Sequence, residues 1–362
     1  MVKKKILVIC PFPYDVAAGQ RLKYEQYFQN WKEEGYDVEM SSFMSLDMWD
    51  VVYTKGNLAK KILGTLGGYY KRIKYLFSLS HFDLVYIFMW VTPFGSSLFE
   101  RLYRFFSEKV IFDIEDNAMI DHSNSLNPVM SFLRGTSKIK FLVTKADQVI
   151  TSSPFLNDIC MDLNLNKSCT YISSSVDTKR FIPSNKYINN KVITVGWTGT
   201  FSSIEYLDQL REVFTKLASR VRFKLIIIGN FQYDLPGVDL EVIQWSKESE
   251  IVDLNLIDIG VYPLPQNDWI MGKSGLKAIQ YMALGLPTVA TNIGTTPRII
   301  THMRNGWLVS TDEEWLAALE NLILNPGLRK SLGEAARAKV LQNYSNQIIK
   351  QSYLSILNKH TS

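Results

Sequence analysis

Lys273 and Lys277 lie four residues apart, and Gln280 follows three further on, inside the stretch Asp258–Pro297 (DIGVYPLPQNDWIMGKSGLKAIQYMALGLPTVATNIGTTP). This stretch reads as a strand, a loop, a helix entrance and a second strand. A helix spanning all three residues would put their side chains on one face, with Leu276, Ile279 and Ala283 on the opposite, buried one. Two ammonium groups in a first helical turn oppose the helix dipole, which favours cations at the other end. An anion seated there removes the conflict, and a phosphate would also collect the free backbone N–H groups. Gly272 and Gly275 permit close backbone approach, and Ser274 lies between them. Residues of these types suit a diphosphate; the ordinary alternative is a pair of solvated surface lysines.

Four other places carry chemistry-bearing residues. Gly19-Gln20-Arg21 sits where the loop from Pro11 becomes a helix, so the glycine admits a phosphate or sugar and Arg21 meets an anion, unless this is a simple helix start. Trp197-Thr198-Gly199-Thr200 follows a later strand. Ser202 and Glu205 beyond it have the spacing of a capping box, so Ser202 reads as a cap while Thr198, Gly199 and Thr200 remain ligand candidates. Tyr262-Pro263-Leu264-Pro265 and Asp268-Trp269 make an aromatic loop ahead of the lysines, suited to contacting a sugar or to plain loop packing. Asp113-Ile114-Glu115-Asp116-Asn117 follows a first-half strand and can orient a hydroxyl or accept its proton, with Asp116 placed ahead of Glu115; a solvated turn is the alternative.

Short β-branched or aromatic runs alternate with longer helical patterns, as in parallel α/β architecture. The first half predicts strands at Ile6–Ile9, Val38–Ser42, Leu84–Met89, Val110–Ile114, Val149–Thr151 and Thr170–Ile172, and a helix Gln20–Glu34 stopped by Gly35. After the polar run Ser184–Lys191 the pattern restarts with Val192–Val195, Lys224–Ile228, Leu240–Ile243, Ile259–Tyr262 and Thr288–Thr291. From Asp312 the tail is helical, broken at Asn325-Pro326-Gly327 and Asn343-Tyr344-Ser345. Two such sheets bind ligands at the carboxyl ends of their strands, which is where the polar loops fall.

With 362 residues, 46% apolar and 21% charged, the chain has enough material for two cores. Cys10, Cys160 and Cys169 and the four histidines (His81, His122, His302, His360) lack zinc-site spacing. A reducing cytoplasm with no metal or cofactor is the expectation. Met1 runs into the first strand too soon for a signal-peptide core, and Phe82–Phe99, with Asp83, Pro93 and Gly95, is rejected as a membrane span. Between Lys55 and Lys109 nine basic residues face only Asp83, Glu100 and Glu108, interleaved with Tyr69-Tyr70, Tyr75 and Phe105-Phe106. That mix suits an anionic membrane surface, although an ordinary amphipathic helix on the core would also produce it. No nucleic-acid recognition module accompanies it.

In Asp258–Pro297, Trp197–Thr200, Tyr171-Ile172, Ser175-Val176-Asp177 before Phe181-Ile182-Pro183, Asn305–Val309 and Asn343-Tyr344-Ser345, the chain resembles the retaining glycosyltransferases of family 4 along nearly its whole length. The resemblance implies the GT-B fold, an α/β architecture of two Rossmann-like domains facing each other across a cleft. It implies an acceptor-binding domain over 1–183, a nucleotide-sugar-binding domain over 184–343, and a helix over 344–362 packing back on the first. The family's two donor-motif glutamates fall at Gly272 and Gln280, and its arginine and lysine after the first strand of the second domain are replaced by Trp197, Thr198 and Thr200. The chain looks like a branch with a tryptophan–glycine loop and a GKxGxK helix entrance, in which Lys273 and Lys277 take the phosphate role and Gln280 meets a ribose hydroxyl.

By this likeness Gly19, Arg21, Trp197, Thr198, Gly199, Thr200, Tyr262, Pro263, Leu264, Ser274, Gly275 and Gln280 bind the donor. Lys273, Lys277 and Asp116 serve the chemistry, and Glu115, Asp116 and Asn117 face the acceptor. The implied protein is a cytoplasmic, peripheral-membrane enzyme that passes a sugar, with retention and without metal, from a nucleotide-diphosphate sugar to a glycan or lipid-linked saccharide in surface polysaccharide biosynthesis. The missing glutamates leave open a non-catalytic nucleotide-sugar-binding partner, and the architecture leaves open a nucleotide-sugar epimerase.

Overall fold

The structure, a computed structural model, describes residues 3–94, 96–115, 136–184 and 192–361. These fall into two compact units, each described on its own. The first holds the residues up to Ser173 with Met271–Ser274 and Ile349 onward; the second holds Ser174–Ile270 and Gly275–Ile348.

In the first unit β1 (Lys4–Cys10), β2 (Tyr36–Ser42), β3 (Leu84–Phe88), β4 (Val110–Ile114), β5 (Gln148–Thr151) and β6 (Cys169–Tyr171) form a parallel sheet in the order β2-β1-β3-β4-β5-β6. A parallel sheet covered on both faces needs continuous apolar runs, and β1 supplies one after its exposed Lys4 and Lys5, with Ile6, Leu7, Val8 and Ile9 all fully buried. Alternation sends Ile6 and Val8 toward Tyr353 and Leu357 of the helix Asn346–Thr361, and Leu7 and Ile9 toward Leu79 and Tyr103.

In the second unit β7 (Ile193–Thr198), β8 (Phe223–Gly229), β9 (Leu240–Gln244), β10 (Ile259–Tyr262), β11 (Thr288–Thr291) and β12 (Trp307–Val309) form a parallel sheet in the order β12-β11-β10-β7-β8-β9. This is the doubly wound order of dinucleotide-binding folds. Val176 bridges Ser345, and Phe181 enters the core with Ile279 and Met282, which ties the segment after Ser174 to this unit. The α/β architecture expected from the sequence is thus observed, with β12 an additional strand beyond those the sequence predicts. The tail forms helices Asp312–Leu324, Pro326–Asn343 and Asn346–Thr361, separated at the expected breaks.

One expected helix is corrected. Gln20–Glu34 is interrupted, as Ala18–Arg21, a 3-10 turn Glu25–Tyr27 and Phe28–Glu33, before Gly35 closes it at φ +94°. The cause is polar. Gln20 Nε2 donates to the Phe12 carbonyl at 3.0 Å and also to the Glu25 carboxylate, which accepts the Asp15 N–H at 2.9 Å. Side chains that a surface helix would show to water are turned inward to hold the loop after β1. Burial pushes the Glu25 carboxyl up, against the opposing pull of Gln20.

The acidic run after β4 is also corrected at its first residue. Asp113 is fully buried, with Oδ1 2.5 Å from Lys23 Nζ and Oδ2 accepting the Tyr86 hydroxyl. Burial raises its pKa and the lysine opposes the rise. Asp113 therefore belongs to the core and not to an open loop. Removing one partner of a buried pair strands the other charge, so Lys23→Met should cost about 3–5 kcal/mol, and Lys23→Met/Asp113→Leu should recover most of it. Urea unfolding measures both; a single variant as stable as wild type would refute the pairing.

Candidate functional site

In the second unit the chain runs outward from β7 through β8 to β9, then returns and runs the other way from β10 through β11 to β12. The reversal lies between β7 and β10. Side chains and loops there cannot close over both strand ends at once, and ligands of open α/β sheets occupy the resulting crevice at the carboxyl ends. The residues in question are Trp197 and Thr198 at the end of β7 with Gly199 and Thr200 after it, and Tyr262 at the end of β10 with Pro263 and Leu264 after it.

The helix Leu276–Ala283 packs behind these ends. Its Tyr281 is fully buried against β10 at Gly260, where a Cβ would lie 2.6 Å from the ring. The Tyr281 hydroxyl accepts the Thr198 N–H at 2.7 Å, so the helix directly fixes the end of β7. One turn earlier Lys277 places Nζ 4.6 Å from the centroid of Trp197 and donates to Ser203 Oγ at 3.4 Å. The Trp197 indole is 1% exposed and lies in the core, so it forms a platform under the ammonium and not a surface for ligand. Gly199 leaves room for this pairing: a Cβ there would come within 2.1 Å of Trp197 and 2.7 Å of Lys277 Nζ. The Gly199 N–H and the Thr198 hydroxyl both close on the Ile228 carbonyl, at 3.0 and 3.2 Å.

Lys273 is not on the helix. Gly275 adopts φ +73°, a left-handed conformation that stops helical geometry, and the helix begins at Leu276. Only Lys277 and Gln280 of the expected face are helical, and no side chain caps the entrance. Lys273 is half-buried and Ser274 buried in the segment before it. Gln280, expected on a polar face, is buried and donates from Nε2 to Glu250 Oε1 at 3.3 Å. A carboxylate thus stands beside position 280, supplied by the helix Glu250–Leu254 and not by the motif.

The Tyr262, Pro263 and Leu264 side chains are buried, and Leu264 N–H donates to Thr291 Oγ1 at 2.9 Å. Tyr262 and Leu264 serve the core, and the exposed part of the loop after β10 lies further on, at Gln266, Asn267 and Asp268. The expected Ser202/Glu205 cap is also corrected: Ser203 Oγ accepts the Thr200 N–H at 3.2 Å, while Ser202 bonds the Thr200 hydroxyl. Sequence reasoning missed Ser203, which the Thr200-x-x-Ser203 spacing would have shown, and Glu250, which no local signal marks.

In the first unit Gly19 and Glu115 come together: a Cβ on Gly19 would lie 2.9 Å from Glu115 Oε2. Arg21 is buried and Glu115 half-buried. Asp116 and Asn117 lie outside the described residues. Among the described residues no group of three His, Cys, Asp or Glu side chains has the arrangement of a metal site.

Residues 178–339 match the family model of glycosyl transferases group 1. N-acetyl-alpha-D-glucosaminyl L-malate synthase of Bacillus anthracis is 24% identical over 163 residues, a match spanning 43% of this chain and 42% of that protein. The chain therefore matches less than half the length of this relative. The sucrose-phosphate synthase of Thermosynechococcus elongatus shares the fold, with TM-score 0.76, 16% identity and 99% of both chains covered. The Anabaena protein HepE, solved in complex with UDP-glucose, gives TM-score 0.65 at 14% identity over 98% of this chain and 99% of that one.

Packing around Gly199 yields a prediction. Gly199→Ala should destabilise by about 1–3 kcal/mol, the cost of an overpacked methyl. Trp197→Phe/Gly199→Ala should recover part of this, because the indole atoms nearest the new methyl, Cη2 and Cζ2, are absent from phenylalanine. Denaturant midpoints of the four proteins in the cycle test it; an alanine at 199 that costs nothing would contradict the packing.

Proposed function

We propose that the protein is a retaining, metal-independent glycosyltransferase that moves a hexosyl unit from a nucleotide-diphosphate sugar to a glycan or lipid-linked saccharide. The observation that carries this reading is Lys277, held over Trp197 beside an uncapped helix N-terminus at the strand reversal of a doubly wound sheet. The group 1 match over the same half supports it, as does the likeness in fold to a protein solved with UDP-glucose.

When the glycosidic bond to the diphosphate breaks, negative charge builds on the leaving phosphate. A preorganised ammonium and the first N–H groups of the helix meet that charge without reorganising. Lys273, in the segment leading into the helix, is the second cation. In a retaining course the acceptor attacks from the face the diphosphate leaves, and a phosphate oxygen takes the acceptor proton. The family resemblance gives Glu115, Asp116 and Asn117 an acceptor role and Gly19 and Arg21 a donor-binding role. Glu250 and Gln280 together offer the carboxylate and amide with which a ribose hydroxyl pairs. The acceptor belongs to surface polysaccharide assembly at the cytoplasmic face of an anionic membrane.

Lys273→Ala and Lys277→Ala should each lose about 3 kcal/mol of transition-state stabilisation, on the order of a hundredfold in kcat/KM. Thermal shifts with UDP, GDP, TDP and their sugars identify the donor, since ligand at about 100 times its Kd stabilises by about 2.7 kcal/mol. The anomeric configuration of the product, read by NMR, tests retention. Activity of both variants within about threefold of wild type, against that order-of-magnitude expectation, would overturn the assignment.

A further inference from the structure

The helix Leu58–Leu76 of the first unit presents two unlike faces. Inward, Gly64 and Gly68 lie so close to Met48 and Phe43 that a Cβ would approach within 2.8 and 2.6 Å, and Arg72 is fully buried. Outward, Ile62, Leu63, Leu66, Tyr70, Ile73 and, just past the helix, Phe77 are 50%, 68%, 60%, 68%, 46% and 83% exposed. At 3.6 residues per turn they fall within an arc of about 100°. Soluble surfaces seldom keep such a stripe bare without a use for it. Exposed Lys60 and Lys74 border it on one side, and no Asp or Glu occurs between Asp50 and Asp83. Along that side an open cavity of about 530 Å3 runs between the helix and the segment after β2, lined by Ser45, Asp47, Lys60, Gly64, Gly67 and Lys71, with Leu63 shared between cavity and stripe.

We propose that this helix is the element by which the protein lies on an anionic lipid bilayer, the stripe entering the acyl boundary, Lys60 and Lys74 meeting the headgroup charge and the cavity accepting a lipid phosphate. The charge pattern favours this occupant over a second copy of the chain, whose own helix would bring the same lysines against these. An apolar helical face bordered by lysines is bound at an interface by burial of the side chains and by the surface potential together. The inference deepens the membrane element of the proposed function, and its test involves no donor or acceptor, so either can fail alone.

The full chain is sedimented with phosphatidylcholine vesicles, with and without phosphatidylglycerol, beside Leu66→Glu/Ile73→Glu and Lys60→Glu/Lys74→Glu. All four positions are exposed, and thermal unfolding checks that the variants fold. Wild type should pellet with the anionic vesicles, release at high salt and stay free of neutral ones, and each double variant should lose at least about tenfold in partitioning. Wild type remaining in the supernatant, or variants that pellet equally, would overturn the proposal. So would a concentration-dependent dimer in light scattering that Leu66→Glu/Ile73→Glu abolishes, which gives the stripe to a second copy.

Discussion

An ammonium group resting on an indole face sets the terms for the second unit. Such a contact gives about 0.5–2 kcal/mol, more as it is desolvated, but only if nothing else fills the space over the ring. Gly199 meets that condition, and it follows that the loop after β7 must turn without a side chain and close on the Ile228 carbonyl. Gly229 yields in turn, since a Cβ there would lie 2.6 Å from the Gly199 carbonyl oxygen. The Tyr281–Thr198 bond then locks helix and strand end into one piece. The cation is part of the packing and not a mobile surface lysine.

The same arrangement leaves no room beside Trp197 for a further large side chain at position 199. Trp197 is neutral, yet its quadrupole and burial hold the charge of Lys277 where a second cation would repel it. Burial of Tyr262 and Leu264 leaves the end of β10 to offer chiefly backbone, beside the anchored ammonium of Lys277 and the Gln280–Glu250 pair.

Where the sequence is legible, periodicity and burial agree: β3 and the runs Ile6–Cys10 of β1 and Leu225–Ile228 of β8 are apolar because both sheet faces are covered. Trp307–Val309 escapes because so short a run, two half-exposed residues and a buried Val309, carries no alternation, and its strand character comes from pairing with β11. The Gln20–Glu34 pattern reads as a helix, yet Gln20 and Glu25 are committed to the loop after β1, a tertiary demand that outweighs propensity. Lys273 and Lys277 share helical spacing, but a glycine's left-handed turn separates them, and spacing carries no dihedral angle. Glu250 is thirty residues from the Gln280 it meets, beyond any local signal.

Arg72 has a mechanical consequence. Its three guanidinium nitrogens are tied to the Cys10, Ser41 and Val91 carbonyls, at 2.9, 3.1 and 2.7 Å, where β1, β2 and the chain beyond β3 end. A helix pinned in this way cannot roll about its axis, because rolling would tear donors from a water-free pocket at the cost of buried, unmet hydrogen bonds. The outward stripe therefore has a fixed azimuth. Whatever surface it meets is met at one angle, and a torque applied there is transmitted through the guanidinium to the strand ends, where the loop from Pro11 to Arg21 begins.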